Sequence, residues 1–414
     1  MVTTALPDVP TRLSVEDAQA RVLALCAARC MPGESVPIGE ACGRVLAEAV
    51  AAPFDLPPFA NSAMDGYALR ADELPAAGEG RFRIAGEMLA GAPQAVTFAR
   101  GECVRIMTGA PLPPGADTVV IRENARCEGD MAVIAAGERA GANVRPAGED
   151  YRAGSPALAP GTRLDAAHVG VLAAFGRACV QVACRPRIAL FVTGDELVAP
   201  GQPLGFGQIH DSNRYTLAAL LQDAGMQPAR CAHLPDDPAA IHAALREAGA
   251  DCDLIVSSGG ISAGAADFLP AVVAALGRVH FRKVRMKPGM PLLCGEIGRA
   301  LVFALPGNPV STIATFLAFV RPALLALQGA PQARRWTARL AVPLHKRHER
   351  AEFLRARLRC EDGMLLVDPL ARQGSAMLRG VAEADVLVHL PEDLRHAVAG
   401  TVLQILPLPG KEPG

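Results

Sequence analysis

Ser257-Ser258-Gly259-Gly260 follows the apolar run Leu254-Ile255-Val256. A buried strand that breaks into two glycines bares backbone N–H groups, which can cradle a phosphate. Three carboxylates are placed in a comparable way: Glu196 in Thr193-Gly194-Asp195-Glu196, Asp236 in Pro235-Asp236-Asp237, and Asp267 at the opening of a helix. Crowded carboxylates raise one another's pKa unless a cation compensates them, so Glu196, Asp236 and Asp267 are read as ligands of a divalent metal. Oxygen-only ligands beside a phosphate point to Mg²⁺. Along 281–287, period-two alternation puts Lys283, Arg285 and Lys287 on one face with Phe281, three cations suited to an oxyanion. In Pro306-Gly307-Asn308-Pro309-Val310-Ser311 two prolines bracket a turn that opens a long helix and aims Asn308 and Ser311 into the same crevice. Each feature has a plainer reading: a strand-to-helix turn, solvated helix caps, an edge strand blunted by charge, an ordinary helix start. What tells for chemistry is that all of them fall at one edge.

That edge follows from the elements. Five strand-like runs, 187–192, 229–234, 253–258, 279–285 and 300–305, end in polar or glycine-bearing exits. Helices fill the gaps: Asp211-Ser212-Asn213 caps one that Gly225 ends, Pro238 lies just inside one that Gly249 ends, and Asp267 opens one that Gly277 ends. Alternating strands and helices predict an α/β domain with a doubly wound, mostly parallel sheet, and such sheets bind ligands beyond the carboxyl ends of their strands.

The chain has 414 residues, enough for two to four domains, and 50% are hydrophobic. A net charge of −1 and 4% aromatic residues exclude a nucleic-acid-binding surface of the usual kind. Eleven cysteines include no Cys-x-x-Cys pair and the start shows no signal peptide, so reduced thiols and a cytoplasmic setting are expected. The most apolar helical run, 313–320, meets Arg321-Pro322 too early to cross a bilayer, so no membrane partner is expected.

Ser14 starts a docking helix and a second helix is expected over 38–49, so residues 1–50 are assigned to N-terminal helices packing on the core. Residues 51–146 read as an inserted β domain of short strands with glycine and proline turns, and 147–179 as a linking segment. The α/β domain takes 180–329, and 330–414 reads as a C-terminal β-barrel. Asp65-Gly66 and Thr108-Gly109 taken alone are turns. His345 and His348 are taken as surface residues.

Taken together, Met64-Asp65-Gly66-Tyr67-Ala68, Arg105-Ile106-Met107-Thr108-Gly109-Ala110, Thr193-Gly194-Asp195-Glu196-Leu197, Ser257-Ser258-Gly259-Gly260, Lys287-Pro288-Gly289 and Leu305-Pro306-Gly307-Asn308-Pro309-Val310-Ser311 resemble the molybdopterin molybdenumtransferase (molybdenum insertase) family, which includes the C-terminal domain of gephyrin. The resemblance implies a four-part subunit, one part built from two separated stretches, and a homodimer with each site shared between subunits. It implies a reaction of adenylylated molybdopterin with molybdate, assisted by Mg²⁺, that gives molybdenum cofactor and AMP. Carried over by motif, Asp65, Thr108, Glu196, Asp236, Asp267 and Lys283 match active-site positions, while Ser258, Gly259, Gly260, Pro306, Asn308 and Pro309 match substrate-binding loops. Lys287, Ser311, Arg355 and Ser375 match positions associated with molybdate. Two positions depart from the pattern: Met290 stands where many relatives carry a second basic residue, and Ala265 where many carry an acid. A molybdopterin adenylyltransferase, resembling 187–327 alone, and a non-catalytic scaffold are the alternatives. The long flanking domains speak against the first, and the lack of a long linker or interaction tail speaks against the second.

Overall fold

The computed structural model describes residues 9–91, 94–261 and 268–411. At its centre lies a seven-stranded sheet in which Pro228–Leu234, Ile188–Thr193, Leu254–Ser258 and Ala300–Leu305 run parallel as neighbours. Beyond Ala300–Leu305 the sheet turns antiparallel. Leu293–Ile297, a strand the sequence reading overlooked, pairs antiparallel with Ala300–Leu305 through a two-residue turn, and Arg278–Val284 pairs antiparallel with it in turn. Two reversals restore the original direction, so all five anticipated exits still open on one edge. The short N-terminal strand Thr11–Leu13 completes the sheet beside Arg278–Val284.

Sequence chemistry accounts for the helices that cover this sheet. Ser14 accepts a hydrogen bond from Asp17 N at 3.0 Å and starts Val15–Ala27. Asp237 caps Pro238–Asp251, and Asp211 accepts from Arg214 N at 3.0 Å at the start of Asn213–Asp223. The expected cap Asp267 and the Ala265 position lie outside the described residues; the helix after them spans Leu269–Leu276. Arg321-Pro322 does not stop the apolar helix as expected. A π-helical turn, Phe316–Val320, precedes it, with Arg321 N–H bonded to Phe316 O, and proline falls where the next helical segment begins. The helical run Pro309–Leu327 is thereby 19 residues long, and 78% of its most apolar window is buried inside the protein. Its apolarity serves the core: Phe316, Phe319, Val320 and Leu324 pack with Val22 and Cys26 of the first helix and with Leu190 and Phe303 of the sheet.

The predicted helix over 38–49 is replaced by a single 3₁₀ turn, Ile38–Glu40. Gly33–Pro37 instead pairs antiparallel with Cys179–Ala183, and Val50–Ala51 with Pro156–Leu158. Val36, Leu46 and Val50 share one core with Leu164, Leu172 and Val180, so two distant stretches form a unit of their own. Between them, residues 66–135 build a six-stranded sheet that includes Gly66–Leu69, Glu79–Met88, Glu102–Ile106 and Thr118–Ile121. The C-terminal part closes into a five-stranded barrel: Ala351–Glu361 pairs with both Met364–Pro369 and Val386–Leu390, and Val402–Pro407 with Trp336–Leu340 completes the circuit. Met286–Lys287 pairs parallel with the first residues of Ala351–Glu361 and stitches barrel to α/β sheet.

Candidate active site

A cavity of about 530 Å³ opens at the carboxyl edge of the central sheet. Its walls are the strand exits. Glu196 and Asp236 supply carboxylates, Ser258, Gly259 and Gly260 form the glycine turn, and Pro306, Asn308, Pro309 and Ser311 come from the loop into the long helix. No Lys or Arg lines it among the described residues.

The glycine turn needs its glycines. Gly259 has φ +97° and Gly260 φ +63°, and a Cβ at Gly259 would sit 2.5 Å from Thr193 O. Gly194 at φ +144° lets the Glu196 carboxylate fold back over the chain, since a Cβ there would lie 2.6 Å from Glu196 Oε2. Asp195 and Asp236 tie two exits together: Asp236 N donates to Asp195 Oδ1 at 3.0 Å, and Asp195 N to Asp236 Oδ2 at 3.4 Å. Asn213 joins a further pair, donating to Ser258 Oγ at 2.9 Å and to Gly307 O at 2.6 Å, and Ser258 Oγ donates onward to Pro306 O at 3.0 Å. Asn213 was read from sequence only as part of a helix cap. Its second task could not be seen there, because its partners are 45 and 94 residues away.

The three expected cations do not line the cavity, and they part from Phe281. Lys283 takes φ +61°, which breaks the two-residue alternation. Arg285 donates to Arg12 O at 2.7 Å and pairs with Glu392, while Lys287 pairs with Glu352 Oε1 at 2.9 Å. Lys287 opens on a second cavity of about 350 Å³, between the sheet edge and the barrel, with Lys346, Arg347 and His348 in its wall. His348 is therefore not a plain surface residue; burial pushes its pKa below the ordinary range, against the opposing pull of Glu352.

Arg355 departs from the expectation of an oxyanion ligand. It is 1% exposed, and its guanidinium donates to Arg372 O at 2.7 and 3.2 Å and to Gly374 O at 3.1 Å. Gln373 closes the same loop against the Arg355 backbone, at 3.0 Å to its N and 2.9 Å to its O. The loop so fixed presents Ser375 O to Val310 N at 3.1 Å and lays Ala376 against the active-site cavity. A buried guanidinium that makes three hydrogen bonds to the carbonyls of one loop holds structure, and Arg355 acts on the site through that loop.

Asp65 and Thr108 meet in the inserted β domain and line neither cavity. Asp65 carries a depressed pKa, held down first by the Thr108 backbone N–H, then by the Thr108 hydroxyl, with smaller help from Arg122 and Arg105. Asp267 lies outside the described residues.

Comparison with known proteins covers the same extent. Residues 13–176 match the family described as MoeA N-terminal region (domain I and II), 189–326 match the probable molybdopterin binding domain, and 337–408 match the MoeA C-terminal region (domain IV). The chain is 38% identical over 407 residues to molybdopterin molybdenumtransferase 2 of Mycobacterium tuberculosis, covering 95% of this chain and 98% of the relative. It is 34% identical over 379 residues to the molybdopterin molybdenumtransferase of Haemophilus influenzae, covering 90% and 93%. Among solved structures, the molybdopterin biosynthesis moeA protein of Pyrococcus horikoshii OT3 superposes with a TM-score of 0.82 at 29% identity, over 96% of this chain and 100% of that one.

Proposed function

The chain belongs to the molybdopterin molybdenumtransferase family and inserts molybdenum into molybdopterin in molybdenum cofactor biosynthesis; we propose that its substrates are adenylylated molybdopterin and molybdate, with AMP as the second product. The observation that carries this reading is the gathering of Glu196 and Asp236, the Ser258–Gly260 turn and the Pro306–Ser311 loop around one cavity. A phosphate placed there comes close to the backbone of a glycine turn that has no side chains to exclude it, and the ribose or pterin body meets the rigid proline-bracketed loop.

Mg²⁺ suits the donors present. Of the three carboxylates in the cavity wall Asp211 is buried and ion-paired with Arg214, which leaves Glu196 and Asp236, and no cluster of three or more His, Cys, Asp or Glu side chains fit for a metal occurs among the described residues. Such a site would not hold a fully caged ion, but Mg²⁺ keeps several waters and takes one or two carboxylates together with substrate phosphates. Glu196 and Asp236 would hold it, with Asp267 as the third carboxylate anticipated from sequence. Its charge would offset the phosphates in a cavity that has no Lys or Arg of its own among the described residues.

The missing positive charge and the separate position of Asp65 and Thr108 support a homodimer. Isologous pairing would bring the inserted domain of one subunit over the cavity of the other and build two equivalent sites. All eleven cysteines are unpaired, in keeping with a reducing, cytoplasmic setting.

The test supplies adenylylated molybdopterin, molybdate and Mg²⁺ and follows AMP. Release that depends on molybdate is expected; its absence defeats the substrate assignment.

A further inference from the structure

Three buried oxygens of residues that line the active-site cavity have no hydrogen-bond partner among the described residues, Thr193 Oγ1, Asn213 Oδ1 and Asp211 Oδ2; the last is ion-paired with Arg214 at 3.0 Å, which leaves the two neutral ones. Thr193 is 5% exposed and ends the strand Ile188–Thr193. Its hydroxyl lies against the glycine turn, so close that a Cβ on Gly259 would come within 2.7 Å of it and one on Gly260 within 3.0 Å. Asn213 touches the same turn from the first residue of the helix Asn213–Asp223. Both of its amide hydrogens are spent, at 2.9 Å on Ser258 Oγ and at 2.6 Å on Gly307 O. Gly307 O can only accept, so the amide cannot be turned around, and Oδ1 is left over as a pure acceptor.

Buried polar atoms are nearly always paired, and an acceptor left without a donor is costly. Two such oxygens at one turn of a ligand cavity mark places that a ligand's donors fill. Resting on the molybdopterin reading, we infer that Thr193 and Asn213 recognise the pyrimidine edge of the pterin, accepting from its 2-amino group and the neighbouring ring N–H. The pterin edge offers two adjacent donors. Adenine, the other heterocycle of an adenylylated substrate, offers one amino donor beside a ring acceptor, which Asn213 Oδ1 cannot satisfy. The assignment also explains a division of labour along the cavity: Glu196 and Asp236 stand with the metal and phosphates, and the neutral oxygens take the uncharged ring.

The probe is a pair of fluorescent pteridines, pterin and lumazine, in which a carbonyl replaces the 2-amino group. Titrated into the wild-type protein, pterin is expected to bind about tenfold tighter than lumazine, and Thr193→Val and Asn213→Ala are expected to bring the ratio below about threefold. Thr193→Val keeps the shape of the side chain and removes only the hydroxyl, so it remains informative where Asn213→Ala loosens the loops. Equal binding of the two pteridines by wild type, an unchanged ratio in Thr193→Val, or a variant effect confined to adenosine would each overturn the inference. Molybdate-dependent AMP release by the same wild-type preparation separates the two levels. Release with unaltered pteridine preference sinks the pterin assignment alone, and no release removes the reading beneath it.

Discussion

A single oxygen of Asp65 accepts two hydrogen bonds from Thr108, one from the backbone N–H at 2.8 Å and one from the hydroxyl at 2.7 Å, across 43 residues of chain. The pair joins the turn before Gly66–Leu69 to the loop after Glu102–Ile106, neighbouring antiparallel strands. Both side chains remain open to solvent. A carboxylate held ionised and oriented on an exposed rim is suited to meet something that arrives from outside.

Thr108→Val keeps the backbone bond and deletes the hydroxyl. The Asp65 carboxyl should then titrate closer to the ordinary value of ~3.9, read by NMR on a labelled carboxyl. The sign is set by the downward shift: what the bond contributes is present above the unfolded pKa and fades as pH falls through the lower folded value. Any acid limb of activity above pH ~4.5 therefore belongs to another group. An unmoved Asp65 titration in the variant contradicts this assignment.

Asp65→Ala and Asp236→Ala are each expected to release no AMP alone. Dissociated, mixed and reassociated, they should recover part of the wild-type rate, because one site in each mixed dimer carries neither change. Mixed dimers that form and stay inactive would put both residues in one subunit's site.

Asp236→Asn removes charge with little change in volume. The Mg²⁺ concentration for half-maximal AMP release should rise severalfold while the melting temperature stays within about 3 °C. An unchanged Mg²⁺ dependence would leave Asp236 a structural residue that ties its strand exit to Asp195.

Gly259→Ala forces a side chain into a positive-φ position and against Thr193 O. Urea unfolding should show a loss of about 2–4 kcal/mol, the combined scale of backbone strain and overpacking. A variant of wild-type stability would mean that the turn relaxes freely and is no rigid cradle.

Lys287→Ala and Arg355→Met should separate. Lys287 is partly exposed at the second cavity, so its loss should raise the molybdate concentration for half activity and leave stability nearly intact. Arg355 is buried, so its replacement orphans the carbonyls of Arg372 and Gly374 and should cost about 2–3 kcal/mol in unfolding free energy. Equal stability of both variants would contradict the loop-holding role of Arg355.

The parts legible in sequence were those written locally. Leu254–Ser258 and Ala300–Leu305 announce themselves as unbroken apolar runs ending in glycine or proline turns, and these exits led directly to the cavity wall. Ser14 names its helix start by side-chain type alone. What stayed hidden was decided at long range. Thr11–Leu13 has three residues and becomes a strand only because Arg278–Val284 offers it an edge. Residues 38–49 were expected to be helical, yet Gly43 takes φ +78°, and Val45 and Leu46 bridge to Arg163 and Val182 more than a hundred residues away. Lys283 broke the strand alternation through one backbone angle that no composition signals. Arg355 was assigned to molybdate through the family resemblance alone, and its burial against a loop was visible only in three dimensions.

Met286–Lys287 borders the barrel strand Ala351–Glu361, and Ala351, Phe353 and Leu387 lie in the same apolar cluster as Phe281 and Phe316 of the α/β domain. The barrel is thus no detachable appendage. Heat or urea should take both units apart in one cooperative transition, and a protease that severs the chain near residue 333 should leave two fragments that stay associated until that shared cluster is broken.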